Sequence, residues 1–215
     1  MVGADLSGVE LRMLSHYLAR WDSGRYRDIL LNGDIHQTNA DKIGISRKLV
    51  KTVTYAFLYG AGDLKIGKSY DNGLSDAKAK AKGKEIRTAY VAAIDGLADL
   101  LTAVKDAAGR GYIKALDGRK ILVDSPHKAL NYLLQGSSAV LAKRWMYIAH
   151  THTLDLCCSQ LAFVHDELQY EADPSHAEIL KSHLETSATE AGSYYKLRCP
   201  IAAEGKIGSN WAEVH

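Results

Sequence analysis

Apolar positions early in the chain recur three and four residues apart. Leu11, Leu14, Tyr17 and Leu18 share one face and predict an amphipathic helix over residues 10–21. The pattern resets at Asn32-Gly33, a turn signal, and Asp34 is placed to cap a second helix running to residue 42. Ser46 is the next N-cap candidate. Behind it the spacing predicts a helix over 47–59, closed by Gly60-Ala61-Gly62. After a turn at Asn72-Gly73, residues 75–108 are rich in Ala and Lys and helix-forming, with interruptions at Gly83 and Gly96. Two stretches then read as hairpins: 112–116 and 119–123 around Asp117-Gly118, and 160–164 and 167–172 around His165-Asp166. Between them a long helix follows Pro126, over 128–151, and a last helix spans 174–193 before a loop-rich end. Residues 2–6 are apolar but too short and too near the terminus to make a convincing strand alone. No Pro/Ser-rich linker divides the chain, so any subdomains are closely packed, and the expected class is α+β, predominantly helical.

Composition changes this picture little. Hydrophobic residues make up 47% and charged residues 24% of the 215, ordinary values for a globular protein long enough to bury its own core. The net charge of +2 points to no particular partner. Locally the balance is uneven: Lys65, Lys68, Lys78, Lys80, Lys82, Lys84 and Arg87 form a basic run. Such a run reads as a solvated helix face in preference to a surface that tracks phosphates. Cys157, Cys158 and Cys199 are odd in number and form no Cys-x-x-Cys pair, which favours reduced thiols over a disulfide framework. With no signal-peptide pattern and no apolar run near the ~18–20 residues of a membrane span, the expected compartment is the cytoplasm, with no membrane partner.

The candidate chemistry lies in a few places. Arg47, Lys51, Tyr55 and Tyr59 stand four residues apart, an offset of about 40° per step on a helix, so they line one slowly rotating face. From Arg47 to Tyr55 the rise is ~12 Å, comparable to the reach from terminal phosphate to base in a nucleoside triphosphate. Cations at a helix start, with free N–H groups and the dipole behind them, suit phosphates, and a ring two turns on can stack on sugar or base. The same spacing also fits an exposed basic edge with tyrosines in the core. Neither Asp5 nor Asp166 is telling alone. Asp166, however, sits at a hairpin tip between apolar flanks, where a carboxylate projects, and Glu167 beside it offers a third oxygen donor. Mg²⁺ takes few hard oxygen ligands and completes its shell with phosphates and water, so two aspartates suffice. A pair of such ions can activate an attacking 3′-hydroxyl and stabilise departing pyrophosphate. Asn131 and Gln135, four apart after Pro126, are either polar residues on a helix flank or amide donors to the minor-groove acceptors that every base pair presents. His36, behind Gly33-Asp34-Ile35, is a further phosphate donor or simply a surface or core histidine.

These same segments carry a resemblance. Asp5-x-Ser7-x-x-Glu10-Leu11-Arg12 resembles motif A of the family A, Pol I-like DNA polymerases. Arg47-x-x-x-Lys51-x-x-x-Tyr55-x-x-Leu58-Tyr59-Gly60 resembles their motif B, and Val164-His165-Asp166-Glu167 their motif C. Gly33-Asp34-Ile35-His36, Asp117-Gly118-Arg119-Lys120, Ser125-Pro126-His127-x-Ala129-Leu130-Asn131 and Glu204-Gly205-Lys206-Ile207-Gly208-x-Asn210-Trp211 are similar to the replicases of T-odd phages. The resemblance implies a partial polymerase palm, a small antiparallel sheet with helices, carrying an inserted helical fingers subdomain. Palm would cover 1–33, fingers 34–108, and palm with a C-terminal segment 109–215. It implies template-directed DNA synthesis on a primer-template, transferring a nucleotide from a dNTP to a primer 3′-hydroxyl. Asp5, Asp166 and the Leu6 carbonyl would hold two Mg²⁺ ions, with Glu167 beside them. Arg47, Lys51 and His36 would hold the triphosphate, Lys51 protonating the pyrophosphate. Tyr55 would pack on sugar and base and, with Glu10, block a ribose 2′-hydroxyl. Tyr59 and Gly60 would meet the template side of the nascent pair, and Arg119, Asn131, Gln135 and His165 the duplex.

One departure matters. Family members carry a thumb, part of the palm sheet and usually an exonuclease domain ahead of motif A, where this sequence has Met1-Val2-Gly3-Ala4. The expectation is the C-terminal part of a split or truncated polymerase, weak or inactive without an N-terminal fragment. That fragment would supply the thumb and neighbours for the motif A strand, in a phage-like system working in a bacterial cytoplasm. The alternative is a non-catalytic nucleic-acid-binding remnant or assembly module, which the intact Asp5, Lys51 and Asp166 disfavour. A Mg²⁺-dependent nuclease would use the carboxylates but leave the Arg47 face without a purpose.

Overall fold

A computed structural model describes every residue, Met1–His215, as ten α-helices and six strands. In chain order they are β1 (Val2–Leu6), α1 (Val9–Leu18), α2 (Arg25–Asn32), α3 (Ile35–Ile43), α4 (Arg47–Leu58), α5 (Asp63–Tyr70), α6 (Asp76–Ala93) and α7 (Leu97–Ala108). Then come β2 (Tyr112–Lys114), β3 (Lys120–Leu122), α8 (Ala129–His152), β4 (Cys158–Val164), β5 (Glu167–Ala172), α9 (Ala177–Tyr194), β6 (Ala203–Ile207) and α10 (Trp211–Val214). The fold is α+β and predominantly helical, as the sequence pattern predicted. Two compact units divide it, one of Met1–Met13, Ala115–Arg119 and Gln135–His215, the other of Leu14–Lys114 and Lys120–Leu134. No helix is long and apolar enough to cross a membrane.

The first unit is organised by a four-stranded antiparallel sheet of order β4-β5-β1-β6. The segment that looked too short to be a strand alone is an inner strand of it. β1 pairs β5 on one side, with Val2 opposite Tyr170, and β6 on the other, with Val2 opposite Ile207. This corrects two expectations: the motif A strand takes both neighbours from this chain, and the supposedly loop-rich end contains β6. The sequence Ala-Glu-Gly-Lys-Ile gives no strand signal, because it holds one strong β-former among charges and a glycine. Its place is set by α9, where the Glu185 carboxylate accepts the Gly205 N–H at 3.0 Å. A side chain at 205 would stand 2.6 Å from Lys181 Cγ. Val2, Ala4 and Leu6 alternate into the core, and Gly3 on the opposite face leaves room for Gln169 and the Val214 carbonyl, each 2.6 Å from where a Cβ would lie. Trp145 is fully buried, and its indole N–H is satisfied by the Leu184 carbonyl at 2.8 Å.

The second unit is helical apart from the β2–β3 hairpin. Asp34 caps α3 as the sequence predicted, accepting the His36 and Gln37 N–H groups, both at 3.0 Å. Ser46 caps α4 through the Leu49 N–H at 3.3 Å. Two helices, α2 and α5, had no clear sequence signal: each has eight residues and a glycine at its N-cap position, which offers no capping side chain, and few of their residues are buried. Gly83, which reads as an interruption, instead lies inside α6. A Cβ at Gly83 would fall 1.8 Å from the Asp63 carbonyl oxygen of α5, and one at Gly67 of α5 would fall 1.8 Å from that of Ala79. The two helices therefore touch backbone to backbone, and that contact offsets the ~1 kcal/mol by which glycine weakens a helix interior. The basic run stays solvated, with Lys65, Lys78, Lys80 and Lys84 exposed, while Arg87 turns in to bond Asp63 at 2.6 Å.

Candidate active site

Strand register places the carboxylates. Asp5 of β1 lies opposite Glu167 of β5 and opposite Glu204 of β6, and directly paired residues of an antiparallel sheet project to one face. Three acidic residues thus form a row across adjacent strands. Asp166 joins them at the tip of the β4–β5 hairpin, where His165 adopts φ 56 to complete a two-residue turn between paired Val164 and Glu167. The Leu6 N–H donates to the Asp166 carbonyl at 3.0 Å, so the two motif segments are joined backbone to backbone. Arg12 steadies the turn after β1, donating to the Ser7 and Pro200 carbonyls, both at 2.6 Å.

Like charges facing each other on a sheet repel, and the carboxyl groups register it. Asp5 is pushed up from the usual 3.8 to about 6, first by partial burial, then by Asp166 and Glu167, with Glu10 adding a little and His215 opposing. Asp166 is raised too, by burial and then by Glu10. Glu167, read from sequence as a third oxygen donor, is buried with both oxygens engaged. One accepts from the Gln169 side-chain amide and the other lies 2.9 Å from His215 Nδ1. Neither partner stood out in the sequence. Strand alternation could have placed Gln169 on the face of Glu167, but nothing local could have brought His215 there. No three or more acidic, His or Cys side chains converge to cage a metal. A site that takes its remaining ligands from phosphates and water does not need such a cage.

In the second unit α4 presents its expected face. Arg47 and Lys51 are exposed, Tyr55 is half-buried, and Tyr59 at the helix end is 54% exposed. Arg47 Nε bonds Asp34 Oδ2 at 2.6 Å, tying the start of α4 to the cap of α3. His36 is buried with its ring centroid 6.2 Å from that of Tyr55 and its Nδ1 without a partner. Burial holds His36 below the usual imidazole value; Asp34 opposes this, while Arg47 and Lys51 add to it. Asn131 donates to the Leu58 carbonyl at 2.9 Å, close to Gly60, so in this state its amide braces the end of α4. Gln135, one turn further along α8, keeps a buried amide nitrogen without a partner. Arg119 is paired with Asp117 at 2.6 Å, and His165 is exposed at its turn. By unit, Asp5, Leu6, Glu10, Arg119, Gln135, His165, Asp166 and Glu167 fall in the first; His36, Arg47, Lys51, Tyr55, Tyr59, Gly60 and Asn131 fall in the second.

The chain belongs to DNA polymerase family A, whose model matches residues 1–213. It is 37% identical over 241 aligned residues to the DNA-directed DNA polymerase of Enterobacteria phage T3 and 36% identical over 238 to that of Escherichia phage T7. Each match covers 99% of this chain and 33% of the relative, so the chain spans about a third of the length of these relatives. Among solved structures, the POL domain of Pol1 from M. smegmatis, in complex with DNA primer-template and dNTP, matches with a TM-score of 0.80 at 23% identity. That match covers 99% of this chain and 40% of the other, and it speaks for the fold.

Proposed function

We propose that this chain carries the nucleotidyl-transfer chemistry of a template-directed DNA polymerase, joining the nucleotide of a dNTP to a primer 3′-hydroxyl with two Mg²⁺ ions. The observation that carries the reading is the β1–β5 register, which sets Asp5 beside Glu167 and binds Leu6 to Asp166. Residues 1–33 and 109–215 are read as palm and 34–108 as fingers.

The donor set fits the metal: an oxygen-only cluster whose carboxyl groups are raised by partial burial and then by neighbouring carboxylates is relieved by a hard divalent cation. Asp5, Asp166 and the Leu6 carbonyl would hold the ions, which when bound acidify the attacking hydroxyl and neutralise the leaving pyrophosphate. Glu167, held inward by Gln169 and His215, would keep the hairpin tip in place. Arg47 and Lys51 would bind the triphosphate, assisted by free N–H groups and the dipole of α4, and Lys51 would protonate the departing pyrophosphate. His36, kept neutral near pH 7, would retain one N–H for a phosphate oxygen. Tyr55 would pack on sugar and base, and Glu10 would exclude a ribose 2′-hydroxyl. Tyr59, Gly60, Arg119, Asn131, Gln135 and His165 would meet primer-template DNA.

Primer extension with Mg²⁺ and dNTPs tests this. Asp166→Ala should lower incorporation ~10³-fold or more. An Asp166→Ala chain within about tenfold of the parent, or a parent that neither extends a primer nor binds a dNTP in Mg²⁺, overturns the reading.

A further inference from the structure

In the first unit, α8, α9 and the turn at 115–119 frame a groove of about 610 Å³ that none of the carboxylates of the candidate active site lines; of the residues read above as duplex contacts, Arg119 alone borders it. Its chemistry is lopsided. Arg119, Lys143 and Arg144 supply three cations, Tyr147, Tyr194 and Tyr195 three rings, and Asp117 the one acid. Asp117 is already neutralised, bonded to Arg119 at 2.6 Å. Tyr147 and Tyr194 are each 58% exposed, a large aromatic area to leave in water.

Arg144 is the centre of the arrangement. Its guanidinium carbon lies 4.0 Å from the ring centroid of Tyr194, 5.6 Å from that of Tyr147 and 6.0 Å from that of Tyr195. No carboxylate pairs with Arg144 or Lys143. A planar guanidinium held by rings and not by an acid is preorganised to donate two parallel hydrogen bonds to an oxyanion such as phosphate. Exposed rings beside unpaired cations are the composition of surfaces that bind single-stranded nucleic acid, with bases stacking on rings and phosphates meeting the cations. An acidic peptide would use the cations and leave the rings idle. The volume, within the ~300–1,000 Å³ of small-ligand sites, suits a nucleotide or two and not a duplex.

We propose that this groove is a second nucleic-acid site, taking single-stranded DNA with bases on Tyr147 and Tyr194 and phosphates on Lys143 and Arg144. The choice of DNA rests on the polymerase reading above; the groove itself does not.

Anisotropy of a labelled oligo-dT, with saturating unlabelled blunt duplex present to occupy duplex-binding surfaces, tests it in the whole chain. Tyr194→Ala and Tyr147→Ala should each weaken binding roughly fivefold to a hundredfold. Lys143→Ala should reduce the salt slope by ~0.7, the value for one phosphate contact on a single strand. Arg144→Lys, which keeps charge but not the planar fork, should also bind more weakly. Single-nucleotide incorporation at saturating primed template should keep the parental kcat in all four, because none holds the ions or the triphosphate. Unchanged oligo-dT affinity in the Tyr194 and Arg144 variants, with melting temperatures matched to the parent, overturns the groove whatever the extension assay shows. Loss of binding in these variants of a chain that neither extends a primer nor binds a dNTP in Mg²⁺ would sink the polymerase reading and leave the groove standing. A poly-Glu peptide bound in preference to oligo-dT, and lost in the same variants, would assign the groove to an acidic protein partner and refute the proposal.

Discussion

Replacing Asp5 by Asn removes one charge from the carboxylate row while keeping its shape, and so relieves both the partial burial of that charge and its repulsion by Asp166 and Glu167. The Asp5 carboxyl stands at about 6 in the folded chain against the usual 3.8. A carboxyl raised on folding binds more protons in the folded state. Its contribution to stability is therefore most favourable below 3.8, declines as pH rises towards 6, and leaves a full penalty above that. Taken whole, the difference corresponds to about 3 kcal/mol. Asp5 is exposed, however, and solvent screening reduces the penalty to ~1 kcal/mol. For a chain of this length ~1 kcal/mol moves the melting temperature by about 2–4 °C. Asp5→Asn should therefore melt about 2–4 °C above the parent in EDTA at neutral pH, with the gap closing near pH 4. Mg²⁺ should stabilise the parent, since it binds the repelling carboxylates, and should have little effect on the variant. Calorimetry at both pH values, with EDTA or Mg²⁺, reads all four cases. A variant that melts below the parent without metal, or one with the parental response to Mg²⁺, refutes the reasoning.

Three further outcomes follow from particular contacts. Gly83→Ala gains helix propensity but drives a methyl into the Asp63 carbonyl, so it should destabilise by ~1–3 kcal/mol in urea unfolding; equal or greater stability would mean that α5 and α6 do not touch as described. His36→Phe keeps a ring but removes a buried nitrogen that has no partner. It should melt at or above the parent while dNTP affinity drops roughly tenfold or more by equilibrium binding, the worth of a hydrogen bond to a charged group. A clear loss of stability would show that Nδ1 is bonded in the free protein. Asp34→Ala should lower the melting temperature by uncapping α3, yet leave dNTP affinity equal or higher because Arg47 is released. Weaker dNTP binding would show that the pair positions Arg47 and does not restrain it.

Features decided by neighbours a few residues away were legible in the chain itself. The caps at Asp34 and Ser46, the turns at Asp117-Gly118 and His165-Asp166 and the α4 face all rest on interactions within about two helical turns or one hairpin. Residue types also showed where charge and rings could act, and the ordered motifs pointed to the family. Tertiary structure alone decided the rest. Val2–Leu6 becomes an inner strand only because β5 and β6, from the far end of the chain, close on both its sides. Gly83 reads as a helix break until α5 packs against it, and Glu167 reads as a free ligand until Gln169 and His215 occupy its oxygens. Side-chain chemistry is a local property of the sequence. Whether Asp5, Glu167 and Glu204 form one row is a matter of register, which depends on pairing between opposite ends of the chain.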